Sequence, residues 1–258
     1  MFGIRVLMEL LWGYSVRIAP QGKGRTAYRL PPPTTFLGAY IAGIQQVLGD
    51  AREVIIEGYG KKASYYSAAE LYKDVFDDVF IKVEDFNGKI YGEPIKQMYI
   101  YRGSVRDNVI TMPGVFHQSG LFSVIYVIKD DVMSRIGLSK EDLERGAWAI
   151  TRLGTKEGII IIKDVNIVQL TEDTAREGMT QHSFYLQEGI ELPPMASYWA
   201  ERAIHWKSRG FRFGDYSEAK KEIIIYPREP ITFLSDAGVE VFRLGNSDEV
   251  LIRTLRGG

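Results

Sequence analysis

Between Glu9 and Asp50 the chain has no acidic residue, while Arg17, Lys23, Arg25 and Arg29 fall within thirteen positions. Tyr14 and Tyr28 lie in the same segment, and Gly13, Gly22 and Gly24 let a backbone approach closely. Aromatic faces stack on bases at about 1–3 kcal/mol each while cations neutralise phosphates, so this interleaving suits single-stranded nucleic acid. The segment runs into a helix entry at Thr34 and Thr35, where free N–H groups make a phosphate site. A competing reading is a solvated loop whose four cations pair with the stretch 50–85, where nine carboxylates face five cations. Charge alone weighs the two evenly. A second cluster, Lys89, Lys96, Arg102 and Arg106 with Tyr91, Tyr99 and Tyr101, shifts the balance toward nucleic acid. A third, Lys207-Ser208-Arg209-Gly210-Phe211-Arg212-Phe213-Gly214, reads equally as a surface turn.

Other chemistries fall away. With no cysteine there is no disulfide, Cys-ligated zinc, iron–sulfur cluster or thiol nucleophile. Gly22-Lys23-Gly24-Arg25-Thr26-Ala27 formally fits a dinucleotide fingerprint, but three prolines, Pro31, Pro32 and Pro33, follow where the helix would have to open. Gly60-Lys61-Lys62 lacks the Ser/Thr of a Walker loop. His117, His182 and His205 are scattered and have no ligand at metal spacing, so structural or solvated roles are expected and neither metal nor cofactor is. His117 alone, beside a basic insertion, could act as the general base of a metal-independent ribonuclease.

The elements that must position these residues follow from periodicity. Ile4, Val6, Met8, Leu10 and Trp12 alternate as a strand buried on much of both faces. A helix starts at Pro33-Thr34-Thr35, where a threonine can cap it, buries Phe36, Leu37, Tyr40, Ile41 and Ile44, and ends at Gly49. Strands follow around Val79, Ile81 and Val83 and over 121–128; between them lies an insertion of about forty residues, read as a protruding hairpin with a turn signal at Asn87-Gly88. A capping box, Ser139-Lys140-Glu141-Asp142, opens a second helix, and 158–162 begins a fourth strand that runs toward Val168. Strand, helix, strand, strand, helix, strand is the split βαβ order, so an α+β, ferredoxin-like (RRM-like) βαββαβ domain is predicted over 1–170, with the insertion at about 86–119. Residues 171–258 read as a β-rich extension packed on it, with a short helix-like run over 198–206.

At 258 residues, 45% hydrophobic and 25% charged, the chain is an average globular protein, and its formal charge of −1 means that any nucleic-acid role must come from local clustering. The apolar stretch 4–12 is interrupted by Arg5 and Glu9 and is too short for a signal or a membrane span, so a cytoplasmic protein is expected. Thirty-one aromatic residues, including Tyr65-Tyr66 and Tyr198-Trp199, fit either an interface or a large core with loop packing.

Gly13-Tyr14-Ser15-Val16-Arg17, followed by Tyr28-Arg29-Leu30-Pro31-Pro32-Pro33-Thr34-Thr35-Phe36-Leu37-Gly38-Ala39, resembles the CRISPR-associated family-five proteins of the RAMP superfamily, subunits of type I (Cascade) effector complexes. Thr151-Arg152-Leu153-Gly154 resembles that family's Arg-Leu-Gly turn, and the Trp12-Gly13-Tyr14-Ser15 entry is most similar to the archaeal type I-A branch. The resemblance covers about 1–170. It implies a non-catalytic subunit in antiviral defence that grips the 5′ handle of the guide RNA and caps the backbone filament, with the inserted hairpin as a thumb. Its implied partners are the guide RNA, the backbone subunit and the large subunit, with target DNA met through the complex and no membrane. Handle contacts are implied at Tyr14, Ser15, Arg17, Arg29, Thr34 and Thr35, with Arg152 near the turn; charge and aromatics add Lys23, Arg25 and Tyr28, and Arg102 and Arg106 on the thumb. One branch of the family cuts precursor guide RNA with a Tyr, a Lys and a His. Lys96 and His117 could imitate that set, which makes a metal-independent endoribonuclease the alternative.

Overall fold

The computed structural model describes residues 1–11, 13, 14, 16, 27–60, 63–86, 89–101, 104–116, 120–154, 158–214, 216, 219–245 and 247–254; over 89–101 and 104–116 it describes backbone pairing alone. Strand β1 (Phe2–Leu10) carries Ile4, Val6, Met8 and Leu10 at no more than 1% exposure. It lies between β8 (Gly120–Ile128) and β9 (Ile160–Thr180), and β8 pairs outward with β5 (Phe76–Asp85). On the other side β9 pairs with β14 (Ile231–Leu244), which also holds β11 (Ile190–Glu191) and β15 (Val250–Ile252). Every pairing in this curled sheet is antiparallel, and its order is β11-β14-β9-β1-β8-β5.

Two helices, α1 (Pro33–Leu48) and α3 (Lys140–Trp148), cover one face, and a short α2 (Asp130–Arg135) lies between β8 and α3 in sequence. Phe36 meets Phe122 edge-on at 5.7 Å and Tyr40 meets Tyr126 at 4.5 Å. Both phenols are satisfied in the core: the Tyr126 hydroxyl donates to the Phe36 carbonyl at 3.2 Å, and that of Tyr40 to the Leu143 carbonyl at 2.8 Å. The opposite face packs Phe80, Ile125 and Val127 against Leu170, Phe242 and Leu251. The result is a mixed α/β architecture with apolar layers on both faces of one sheet; β1 itself buries the face of Ile4, Val6, Met8 and Leu10, while Arg5 on its other face is exposed, so the expected burial of much of both faces holds for one.

The helix ends combine an expected pattern with one correction. Ser139 and Asp142 close the capping box, and Gly49 ends α1 at φ +67°. No threonine caps α1, however: Pro32 occupies the cap without a side-chain bond, and Pro33 is the first helical residue, its fixed φ pre-set for a helix start.

Residues 198–206 are the clearest departure from expectation. The predicted helix-like run is instead β12 (Tyr198–Ile204), pairing at all seven positions with β13 (Lys221–Pro227), whose other edge holds β10 (Phe184–Tyr185). A partner strand settles a run whose own pattern is ambiguous. β14 carries a register shift between Leu234 and Val239, and β9 runs to 21 residues. A hairpin of β3 (Val54–Glu57) and β4 (Ser64–Ser67) stands where the sequence reads only as mixed polar.

The strand ends in the C-terminal half are tied by a polar pair. The His182 Nδ1–H donates to Glu249 Oε1 at 2.6 Å, and the Gln181 amide donates to the same oxygen at 3.1 Å. Burial pushes the Glu249 carboxyl up, but the His182 bond, its charge and the Gln181 amide outweigh it and hold the group below its ordinary 4.5. A carboxyl depressed in the folded state stabilises fully above the unfolded value and loses that contribution as pH falls through the folded one. Glu249→Gln should therefore lose less of its melting temperature than the parent between about pH 5 and about pH 3. Parallel slopes of Tm against pH for the two proteins would contradict it.

Candidate nucleic-acid interface

Of the expected contact residues, Tyr14, Tyr28, Arg29, Thr34, Thr35 and Arg152 lie at one end of the sheet, where β1 finishes. Leu10 pairs there with Gly120 on one side and Ile160 on the other, and the Leu11 amide donates to the Ile159 carbonyl at 3.0 Å. Ile159 is bridged in turn to Arg152. Leu153, fully buried, anchors this turn and donates its N–H to the Gly158 carbonyl at 2.7 Å, while Gly154 supplies the left-handed φ of +75°. Arg152 itself is exposed.

Past the end of β1, Gly13–Tyr14 forms β2, which pairs with Val115 and Phe116 at the root of a long hairpin. Its strands, β6 (Lys89–Tyr101) and β7 (Ser104–Phe116), pair in unbroken register from Lys89↔Phe116 to Tyr101↔Ser104. Thirteen residues per strand carry the hairpin roughly 40 Å from its root. The Asn87-Gly88 turn signal lies outside the described residues, and the pairing of β6 with β7 ends at Tyr101↔Ser104.

The two tyrosines expected to offer stacking faces do not do so. Tyr14 is 1% exposed and its hydroxyl donates to the Arg29 carbonyl; Tyr28 is 4% exposed. Burial first, then nearby Tyr226 and Glu201, pushes the Tyr14 phenol well above its ordinary value, and burial with Glu201 and Tyr216 pushes Tyr28 up to about 12. Both are neutral struts of the loop. The reason is the C-terminal half: the Arg29 amide donates to Glu201 Oε1 on β12 at 3.0 Å, and the Tyr226 hydroxyl on β13 donates to the Pro31 carbonyl at 3.0 Å. Residues 28–31 are thus clamped between β2 and the β12–β13 sheet. The Arg29 guanidinium remains in solvent.

The clamp delivers the chain into α1 with Thr34 and Thr35 half-buried in its first turn. That turn has no acidic residue and no side-chain cap, so the positive end of the helix dipole is uncompensated by its own sequence. Tyr14, Tyr28, Arg29, Thr34, Thr35 and Arg152 therefore converge on one end of the fold, with Arg29, Thr34, Thr35 and Arg152 on the accessible side. Ser15, Arg17, Lys23, Arg25 and Arg102, and also His117, lie outside the described residues. Arg106 and Lys96 are described only as strand positions, opposite Tyr99 and Val109.

The remaining basic and acidic clusters are largely engaged in the fold. Arg212 pairs with Glu57 at 2.9 Å and lies over the Tyr66 ring at 4.4 Å, Lys207 pairs with Asp77 at 2.9 Å, and Phe211 and Phe213 are buried. Within 50–85, Asp50 is held by Arg52, Glu70 by Lys73 and Glu84 by Lys82. Those carboxylates have partners other than the 17–29 loop. The described histidines are structural: His182 bonds Glu249, and His205 stacks on Trp206 at 4.1 Å while its Nδ1 accepts the Lys207 amide at 3.0 Å. Sequence reasoning missed Glu201 and Tyr226, since nothing local signals a bond across 172 positions. Among the described residues no group of His, Asp and Glu side chains could hold a metal, and no helix is long and apolar enough to cross a membrane.

No family model matches the chain. It is 27% identical over 246 residues to CRISPR-associated protein Cas5 3 of Saccharolobus solfataricus, covering 87% of this chain and 93% of that protein. It is 25% identical over 246 residues to CRISPR system aCascade subunit Cas5 1 of the same organism, covering 92% and 91%. In structure it is similar to a CRISPR protein from Archaeoglobus fulgidus at TM-score 0.58 and 19% identity, covering 99% of this chain and all of that one. Over most of its length, this chain is a relative of the archaeal CRISPR-associated Cas5 proteins.

Proposed function

We propose that the chain is an RNA-binding subunit of a type I CRISPR effector complex, holding the 5′ handle of the guide RNA at the end of β1 and capping the backbone filament without cutting RNA. The reading as an effector subunit is supported by the aCascade relative, similar across nine-tenths of both chains. A ferredoxin-like βαββαβ unit over about 1–170 is supported by the antiparallel order β9-β1-β8-β5 with α1 and α3 on one face. The β6–β7 hairpin, inserted between two of those strands, is the element suited to act as a thumb over a neighbouring subunit.

The observation that carries the handle site is the convergence of Arg29, the uncapped first turn of α1 with Thr34 and Thr35, and the Arg152 turn. Fixed N–H groups and two solvent-facing guanidiniums recognise phosphates of a bent single strand without a metal. Arg17, Lys23, Arg25 and Ser15 precede this site in the chain, and Arg102 and Arg106 belong to the thumb.

The test is a gel shift of labelled handle RNA in EDTA over a salt series. Arg29 serves the fold through its backbone amide, so Arg29→Ala removes a charge and keeps the Glu201 bond. Each of Arg29→Ala and Arg152→Ala should weaken binding and lower the slope of log K against log salt by about 0.7–1 per lost phosphate contact. Unchanged slopes in both would remove the site from this end of the sheet, and cut RNA would overturn the non-catalytic reading.

A further inference from the structure

Along 161–168, strand β9 has a neighbour on one side. It pairs there with β1, whereas β14 joins its other side only from Leu170↔Leu244 onward. The Gly245 amide, donating to the Gln169 carbonyl at 3.3 Å, ends that coverage, and the Ile160 amide, donating to the Thr151 carbonyl at 3.1 Å, closes the opposite end. Between these two bonds no described residue pairs with the outer side of the strand. The open stretch is about 25 Å long.

The directions of its main-chain groups follow from the bonds at its ends. In an antiparallel pair, residues bonded to the partner strand alternate with residues whose N–H and C=O point away from it. The Leu170 amide donates to the Met1 carbonyl at 3.3 Å, so 168, 166 and 164 are the positions bonded to β1, and Val165 and Ile167 point outward. At the other end the Leu11 amide donates to the Ile159 carbonyl at 3.0 Å, so Ile161 is bonded to β1 and Ile162 points outward; the register shift at Leu7/Met8 joins the two halves. Ile162, Val165 and Ile167 thus carry main-chain donors and acceptors that no described residue meets.

Native sheets blunt such edges with charge, proline or a covering segment. This edge is instead flanked by isoleucine on both faces. Ile167 lies on the helix-covered face, opposite Ile4, and is 42% exposed; Ile161 lies on the other face, opposite Glu9, and is 44% exposed. Ile162 and Val168 are half-buried beside them. The nearby charges are compensated within the sheet: Lys163 reaches back to Glu9 on β1 at 2.6 Å, and Asp164 accepts from the Asn166 side-chain amide.

These features select the chemistry of the partner. A nucleic-acid strand offers phosphates, which need cations, and this edge presents carbonyl acceptors as often as donors. An extended polypeptide offers the matching alternation of N–H and C=O, and an electrically balanced, apolar edge is complementary to an uncharged, apolar strand. We propose that the outer edge of β9, from Ile161 to Val168, is a docking site for an extended, uncharged segment of a partner polypeptide, which joins the sheet as a further strand with its β-branched side chains against Ile161 and Ile167. The site shares no residue with Arg29, Thr34, Thr35 and Arg152, so it stands or falls apart from the RNA-binding reading.

The probe is a capped hexapeptide of alternating valine and threonine, titrated into the intact protein and followed in a proton–nitrogen correlation spectrum. The amide signals of Ile162, Val165 and Ile167 should move saturably, and their hydrogen exchange should slow about tenfold or more. The same peptide N-methylated at every residue keeps the side chains but loses its donors, and should not bind. Ile167→Pro removes one outward N–H and leaves the bonds to β1 intact, so it should weaken binding about tenfold. Ile167→Lys keeps the main chain and places a charge on the flank; it should weaken binding to a similar degree and keeps the test decisive if Ile167→Pro does not fold. No saturable movement of these amides at millimolar peptide, equal movement with the N-methylated peptide, or the same movement with a single-stranded oligouridine overturns the site.

Discussion

Asp77→Asn is expected to lose about 3–5 kcal/mol of folding stability, because it removes the buried carboxylate on which Lys207 and Arg253 close their bonds. Asp77 is 1% exposed on β5 and is contacted by Lys207, Arg253 and Lys129. Its neighbour Asp78, equally buried, accepts the Val79 amide at 2.9 Å and the Thr254 amide at 2.9 Å. The two aspartates therefore stitch the edge strand to the turn after β12 and to the chain after β15. Burial pushes the Asp77 carboxyl up, but Lys207, Arg253 and Lys129 outweigh it and hold it below its ordinary range, so the cluster is intact at neutral pH and weakens as pH falls below that range. Arg253 also reaches Glu240 at 3.3 Å and Glu172 at 3.5 Å, both at the surface, and keeps partners when Asp77 is lost; Lys207 does not share those two carboxylates. In urea the midpoint should fall with m unchanged, and Tm should drop by roughly 10 °C. A midpoint within error of the parent would show that the cluster contributes no net stability.

Gly43→Ala should cost about 3 kcal/mol or more, the reverse of the usual helix rule. At an ordinary helical position alanine is better than glycine by about 1 kcal/mol. Here α1 crosses α3 backbone to backbone: a Cβ on Gly43 would overlap the Gly146 carbonyl oxygen, and one on Gly146 would come within 2.7 Å of Ile44 Cγ1. The overlap is with main chain, so the helices must separate, opening the layer that Tyr40 ties to Leu143. Ala42→Gly, on the exposed side of the same helix, is the control and should cost about 1 kcal/mol. Equal urea midpoints for Gly43→Ala and the parent would contradict the close crossing.

The pattern of Ile4, Val6, Met8 and Leu10, the apolar face of α1 with Gly49 after it, and the Ser139–Asp142 box were legible because strand alternation, helical spacing and capping are properties of neighbours in the chain. So was the existence of a hairpin in the long insertion, now seen as β6 and β7. Residues 198–204 were not legible as a strand, because their state is decided by β13, which follows in the sequence. The candidate interface divides in the same way. The absence of acid before Asp50, Arg29 and the Arg152-Leu153-Gly154 turn can be read directly from the chain. That Tyr14 and Tyr28 are struts and not stacking faces follows only from Glu201 and Tyr226, which arrive from the other half of the molecule to take up the loop's backbone polar groups. Periodicity and caps are short-range and written in order; burial and charge compensation depend on which distant segments the fold brings into contact, and tertiary structure alone decides that.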